Sequence, residues 1–188
     1  RTYCTHLLHA CGRAPQARHL RQNYFTSGLK ISPVNVDLSL TGTPGTGKTS
    51  VAEELESRGH EVAHLNQLLE QRGIGTSGEE REVDVEEMRE RLELDVEVVE
   101  GHLSHFLSVD VCVVLRCRPD VLRERLSGRD YSDEKVSENL RAEALDVILQ
   151  QSIESQDTVV EIDTTNKSVP EVADRVETAG KTEESTYG

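Results

Sequence analysis

From Val34 onward the apolar residues fall into short blocks with two alternating periods. Val34–Leu40 is mostly apolar and reads as a strand. Residues 47–58 then place Val51, Ala52 and Leu55 on one helical face, stopped by Gly59. A second strand is predicted at 61–65 and a short helix at 66–71, ending near Gly73. A Gly-rich polar loop occupies 73–83. Val85, Met88 and Leu92 predict a helix over 85–94, before a strand at 96–100. Val111–Leu115 is the most apolar run, as a strand buried on both faces of a parallel sheet requires. Pro119 suits the first turn of a helix carrying Val121, Leu122, Arg125 and Leu126. Ser132, followed by Asp133 and Glu134, predicts the start of one long helix to about Glu154. A last strand at 158–162 precedes Ser168-Val169-Pro170-Glu171, a capping-box pattern that opens the final helix. Five strands separated by helices predict a doubly wound α/β fold: a three-layer α/β/α arrangement on a five-stranded parallel sheet, with right-handed crossovers.

The connection after the first strand carries the chemistry. Gly42-Thr43-Pro44-Gly45-Thr46-Gly47-Lys48-Thr49 matches the full G-x-x-x-x-G-K-[ST] phosphate loop (P-loop) between a predicted strand and helix. Its glycines let backbone amides turn inward around a β-phosphate at the positive end of the helix. In such a loop the lysine reaches the β- and γ-phosphates, and the threonine hydroxyl faces Mg²⁺. An NTP with Mg²⁺ is therefore the expected ligand.

Composition changes the picture in three places. The chain of 188 residues carries 35 acidic and 21 basic side chains, a net charge of -14, and only five of the cations are lysines. Acid-rich, Arg-over-Lys usage suits a salt-loving archaeal cytoplasm, where a large net charge is screened and keeps the protein soluble. The first 36 residues hold five basic side chains and no acid, leaving 16 basic and 35 acidic residues beyond them. Residues 1–33 are accordingly expected to be a disordered or non-native extension, 34–180 the folded domain, and 181–188 a frayed tail. The four cysteines, Cys4, Cys11, Cys112 and Cys117, lack C-x-x-C spacing and read as reduced, buried thiols. No run approaches the roughly 18 apolar residues of a membrane span.

A phosphate loop needs a second acid near the metal, and Glu100, at the end of the 96–100 strand, supplies it. His102 and His105 follow it closely; without further ligands at zinc spacing, they suit orientation of water or a nucleotide oxygen. Arg125 and Arg129 flank a Gly-containing turn between helices, where a short lid would close and bring cations to the developing charge. Guanine recognition normally uses N-K-x-D, whereas Asn166-Lys167-Ser168-Val169 lacks the acid, which argues against a GTPase.

The blocks TGTPGTGKT, VVEGHLSH, VVLRCRPDVLRERL and RDYSDEKVSENLRAEALDVIL occur in this order. Together they resemble the small adenylate kinases of archaea and the eukaryotic nucleus, isoenzyme six of that group, over about residues 34–178. The resemblance implies a P-loop nucleoside-monophosphate kinase fold with a monophosphate-binding region at about 64–94 and a short lid at about 125–134. It implies ATP contacts from Gly42, Pro44, Gly45, Thr46, Gly47, Lys48, Thr49, Ser50 and Arg129. Lys48, His102 and Arg129 would be catalytic, Thr49 and Glu100 would hold Mg²⁺, and AMP would meet Asn66, Arg72, Arg81 and Glu100. The implied activity is MgATP-dependent phosphorylation of AMP with weak ATP hydrolysis. A role in small ribosomal subunit maturation is also implied, through a ribosomal protein and pre-ribosomal RNA, in a cytoplasmic monomer. An ATPase switch in ribosome assembly, or a kinase for another small acceptor such as shikimate or a nucleoside, is the alternative. Three positions depart from the family pattern: Glu100 in place of Asp, Asp130 in place of a Gly after the lid arginine, and Glu70 in place of an Arg, for which Arg72 or Arg81 would substitute.

Overall fold

The computed structural model describes residues 34–75, 82–129 and 131–181. The expectations for 1–33 and the tail beyond Lys181 lie outside these residues. The elements run β1 (Val34–Gly42), α1 (Lys48–Ser57), β2 (Val62–His64), α2 (Leu65–Gln71), α3 (Val85–Arg91), β3 (Leu94–Glu100), a 3-10 turn (Ser104–Phe106), β4 (Val111–Arg116), α4 (Pro119–Ser127), α5 (Asp133–Ala144), α6 (Val147–Ser155), β5 (Val159–Asp163) and α7 (Val169–Lys181). The five strands form one parallel sheet in the order β2-β3-β1-β4-β5, as the alternating periods predict.

β1 sits between β3 and β4, so every loop at its C-terminal end is flanked by two others. Leu38 and Leu40 of β1, Val113 and Leu115 of β4 and Ile162 of β5 pack against Val51, Ala52 and Leu55 of α1 and Val172, Ala173 and Val176 of α7. A second cluster joins Val36, Leu94 and Val99 to Leu65 and Leu69 of α2, Met88 of α3 and Leu107. A third, smaller cluster joins Cys117, Leu122 and Leu126 to Leu140 of α5. Cys112 and Cys117 are free thiols, both buried. Among the described residues no helix is long and apolar enough to cross a membrane.

The largest departures from the sequence expectation lie at the α3–β3 junction and in the helix after Ser132. The helix expected to reach residue 94 ends at Arg91, because Leu92 is already extended (ψ 117°), and the strand begins at Leu94 instead of 96. The long helix expected from Ser132 to Glu154 is two helices. Ser132 does cap the first, accepting a bond from the Lys135 amide at 3.2 Å. The break comes at Asp146, which is left-handed (φ 57°, ψ 29°), a conformation that aspartate tolerates better than most residues. Arg116 reinforces the break. Its guanidinium donates to the Glu143 carbonyl at 2.9 Å and to the Asp146 carboxylate, holding the chain on both sides of the bend.

Candidate functional site

The phosphate loop leaves β1 through Gly42, whose φ of 142° and close packing exclude a side chain: a Cβ there would lie 2.4 Å from the Leu115 carbonyl oxygen. Gly45 (φ 92°) is equally constrained, since its Cβ would come within 2.8 Å of Leu122 and Leu126 in α4. The tip of the loop therefore rests directly on the helix that leads to the expected lid. Gly47 (φ 105°) starts α1 with no side-chain cap, which leaves the first-turn amides of a ten-residue helix available to an anion.

Lys48 stands at the centre of the site. It is 8% exposed, and its Nζ donates to the carbonyls of Gly42 (2.8 Å) and Thr43 (3.1 Å). Burial pulls its pKa down from 10.5 to about 8; Glu100 and Glu143 oppose this shift and Arg129 adds to it. Between pH 8 and 10.5 the folded protein binds fewer protons at Lys48 than the unfolded chain does. Its unfavourable contribution to stability is thus complete below pH 8 and fades as pH rises toward 10.5. A phosphate beside the ammonium restores the charged form, so nucleotide binding near pH 8.5 is expected to take up on the order of half a proton. Calorimetry in buffers of different ionisation enthalpy measures this uptake directly, and a heat independent of buffer would mean that Lys48 is already fully charged.

On one side of Lys48, Thr49 Oγ1 lies 3.4 Å from Glu100 Oε1. The other carboxylate oxygen, Oε2, is 3.1 Å from His64 Nδ1 at the end of β2, a residue paired with Glu100 in the parallel register. Sequence reasoning missed His64; the available signal was a polar residue ending the strand beside the one that carries Glu100. Thr49 and Glu100 present hard oxygen donors, which fit Mg²⁺ completed by waters and nucleotide oxygens. Among the described residues no three His, Cys, Asp or Glu side chains converge on one point, so protein ligands alone would not form a cage.

His102 is half-buried near this pair, and burial together with Lys48 lowers its pKa, which favours the neutral imidazole. His105 has a different place. It is fully buried, stacks against Phe106 (ring centroids 4.1 Å apart) and meets Thr41 Oγ1 at 3.1 Å through Nδ1. Thr41 also donates to the His102 carbonyl at 3.2 Å, tying this turn to β1. Burial depresses His105 to about 4, so the ring packs as a neutral group.

On the other side, Arg125 and Arg129 line a cavity of about 300 Å³ with Gly45, Thr46, Gly47, Ser50, Thr164 and Lys167. The two arginines differ. Arg125 is fixed by Thr164, donating to its carbonyl at 2.9 Å and its hydroxyl at 3.1 Å. Arg129 is exposed, and its guanidinium has no hydrogen-bond partner among the described residues. Pro44 is half-buried in the loop. Thr46 Oγ1 donates to the Thr43 carbonyl at 2.9 Å.

The expected AMP contacts are dispersed. Asn66 is exposed at the start of α2, two residues beyond His64, on the Glu100 side of the site. Arg81 lies outside the described residues. Arg72 lies elsewhere: its guanidinium donates to the carbonyls of Arg91 (3.2 Å) and Glu93 (3.1 Å), at the end of β3 opposite Glu100. It braces the α2–α3 hairpin, away from the phosphate loop. A hollow of about 550 Å³ beside this region is lined by Glu82, Asp84 and Glu87, a poor lining for an anion.

Behind the loop lies a charged group that sequence reasoning also missed. Glu143, 2% exposed, accepts from Thr43 Oγ1 at 2.5 Å through Oε2, and from Arg116 Nε and the Cys117 amide, each at 2.8 Å, through Oε1. One buried carboxylate thus connects α5, the end of β4 and the first variable residue of the phosphate loop.

A family model described as an AAA domain matches residues 39–146. A protein of Archaeoglobus fulgidus named "Putative adenylate kinase" is 53% identical over 142 residues, spanning 74% of this chain and 79% of that protein. Proteins of the same name from Thermococcus gammatolerans and Methanosarcina barkeri are 46% and 42% identical, again over 74% of this chain and over 82% and 83% of their own lengths. Identity of that order across three quarters of the chain, with the phosphate loop and parallel strand order in place, makes the protein a P-loop kinase of the adenylate-kinase-like family to which these archaeal proteins belong.

Proposed function

We propose that the protein transfers the γ-phosphoryl group of MgATP to AMP, giving two molecules of ADP. The observation that carries this reading is the position of Lys48. It stands between the cavity with the lid arginines on one side and the Glu100–His64–Asn66 edge on the other, so a donor and an acceptor can approach one phosphoryl group from opposite directions. The adenosine of ATP fills the cavity between Arg125, Arg129 and Thr164, and its β-phosphate takes the amides of residues 45–49. Thr49 and Glu100 hold Mg²⁺ directly or through water, and His64 keeps the Glu100 carboxylate oriented. When bound, the ion neutralises charge on the β- and γ-oxygens. Lys48 and Arg129 supply the remaining positive charge as the acceptor phosphate attacks in line, and no covalent enzyme intermediate is needed.

A second reading draws on His102. A neutral imidazole beside Glu100 suits orientation of water, which favours slow ATP hydrolysis and an ATPase switch alongside the kinase activity. The acidic surface would then suit a basic small-subunit ribosomal protein bound to pre-ribosomal RNA, in a monomeric cytoplasmic enzyme. Nucleotide release assayed with and without AMP, in molar salt, separates the two. AMP-stimulated formation of ADP is the expected result. Free phosphate with no response to AMP would leave only the ATPase, and transfer to shikimate or a nucleoside would replace the acceptor.

A further inference from the structure

We propose that Asn139 is a substrate-binding residue, its side-chain Nδ2 donating a hydrogen bond to an oxygen of the nucleotide's γ-phosphoryl group. This rests on the phosphoryl-transfer reading above and adds to it a ligand contact on the helix that follows the lid. Asn139 is 7% exposed, and its Nδ2 has no acceptor within hydrogen-bond distance among the described residues. A buried donor left in this way costs stability, so its retention calls for an acceptor that arrives from outside the chain.

The position of α5 indicates which acceptor. Lys135, Asn139 and Glu143 are spaced four residues apart and share one face of the helix, spread over an arc of about 80°. Each end of that stripe has an identified neighbour. Glu143 binds Thr43 Oγ1 at the start of the phosphate loop. At the other end, the Lys135 ammonium is close enough to His102 to disfavour its protonation. Lys135 itself is held by Glu138 at 2.9 Å. The stripe therefore runs from the His102 turn to Thr43, and Lys48 feels the charge of both Glu100 and Glu143. Asn139 is the middle residue. Its neighbour Leu140 packs in the same cluster as Leu122 and Leu126, the two residues that support Gly45 at the loop tip. An uncharged donor on the helix face that Glu143 ties to Thr43 would read the group that ATP has and ADP lacks.

Titration calorimetry on the full chain with the Mg²⁺ complexes of a non-hydrolysable ATP analogue and of ADP tests this. Wild-type protein is expected to bind both. Asn139→Leu is expected to weaken the ATP analogue by at least about tenfold and leave ADP within about twofold, because only one of them presents the γ-oxygens. The same variant is expected to melt no lower than wild type, since it removes an unpaired buried donor; a residue with a merely structural role would lose stability and both affinities together. Should Asn139→Leu not fold, Asn139→Asp preserves the shape, removes the donor and decides the question by the same ratio. Equal weakening of both ligands, or no weakening of either, overturns the proposal. Wild-type protein that binds neither nucleotide would overturn the phosphoryl-transfer reading itself.

Discussion

Lys48→Ala is expected to lower phosphoryl transfer by at least about a thousandfold while the protein still unfolds cooperatively near the wild-type temperature. The two halves of this result have different causes. Transfer depends on positive charge placed where the γ-phosphoryl develops it, and Lys48 is the buried cation inside the loop. Stability depends on a near balance. The variant loses two hydrogen bonds, to the carbonyls of Gly42 and Thr43, and also loses the cost of burying an ammonium whose pKa has fallen to about 8. Each contribution is of order 1–3 kcal/mol and they oppose one another. Steady-state ADP formation and thermal denaturation, measured on the same preparation, check both. Activity above about a tenth of wild type, more than one missing donor normally leaves, would sink the assignment of the phosphate site.

Arg116→Met is expected to be the most destabilising change near the site, by about 3–5 kcal/mol, with Tm lower by roughly 6–20 °C. Glu143 would keep Thr43 and the Cys117 amide but lose the cation that compensates its buried charge. Asp146 would lose the partner that helps hold the left-handed bend between α5 and α6. Adding Glu143→Gln should recover more than half of the loss, because the uncompensated carboxylate is then gone. Urea denaturation of the single and double variants measures the coupling. A loss below about 1 kcal/mol in Arg116→Met, the size of an exposed ion pair, would show that solvent, and not Arg116, carries the Glu143 charge.

Much of this architecture was legible because its signals are local. The phosphate loop is eight contiguous residues whose glycines, lysine and threonine each have a fixed task, and the strand before it and helix after it show opposite periods. The placement of Glu100 and His102 was legible for a related reason: Glu100 ends a strand and His102 lies in the turn just after it, and strand ends in a parallel sheet point to one edge. The contacts that span the fold were not legible. Thr43 and Glu143 are 100 residues apart, and a Glu between alanines in a helix looks like an exposed face until β4 is placed beneath it. The place of Arg72 was not legible either, because its position along the chain said nothing about which end of β3 its guanidinium would reach. The long helix divided at Asp146 because a tertiary ion pair, invisible in the local pattern, outweighs helical periodicity there.

The strand order also governs when the site comes into existence during folding. With β1 paired to β3 and β4, and β2 and β5 at the edges, no two strands that are neighbours in space are joined by a tight hairpin. Every pairing must close a long segment of chain first, which makes folding slow and leaves few partly formed states with an ordered phosphate loop. Glu100 arrives with β3 and Arg116 with β4, so nucleotide affinity should emerge only with the completed sheet. Nucleotide present during synthesis or refolding would then act by trapping the finished molecule, raising yield without accelerating the earlier steps.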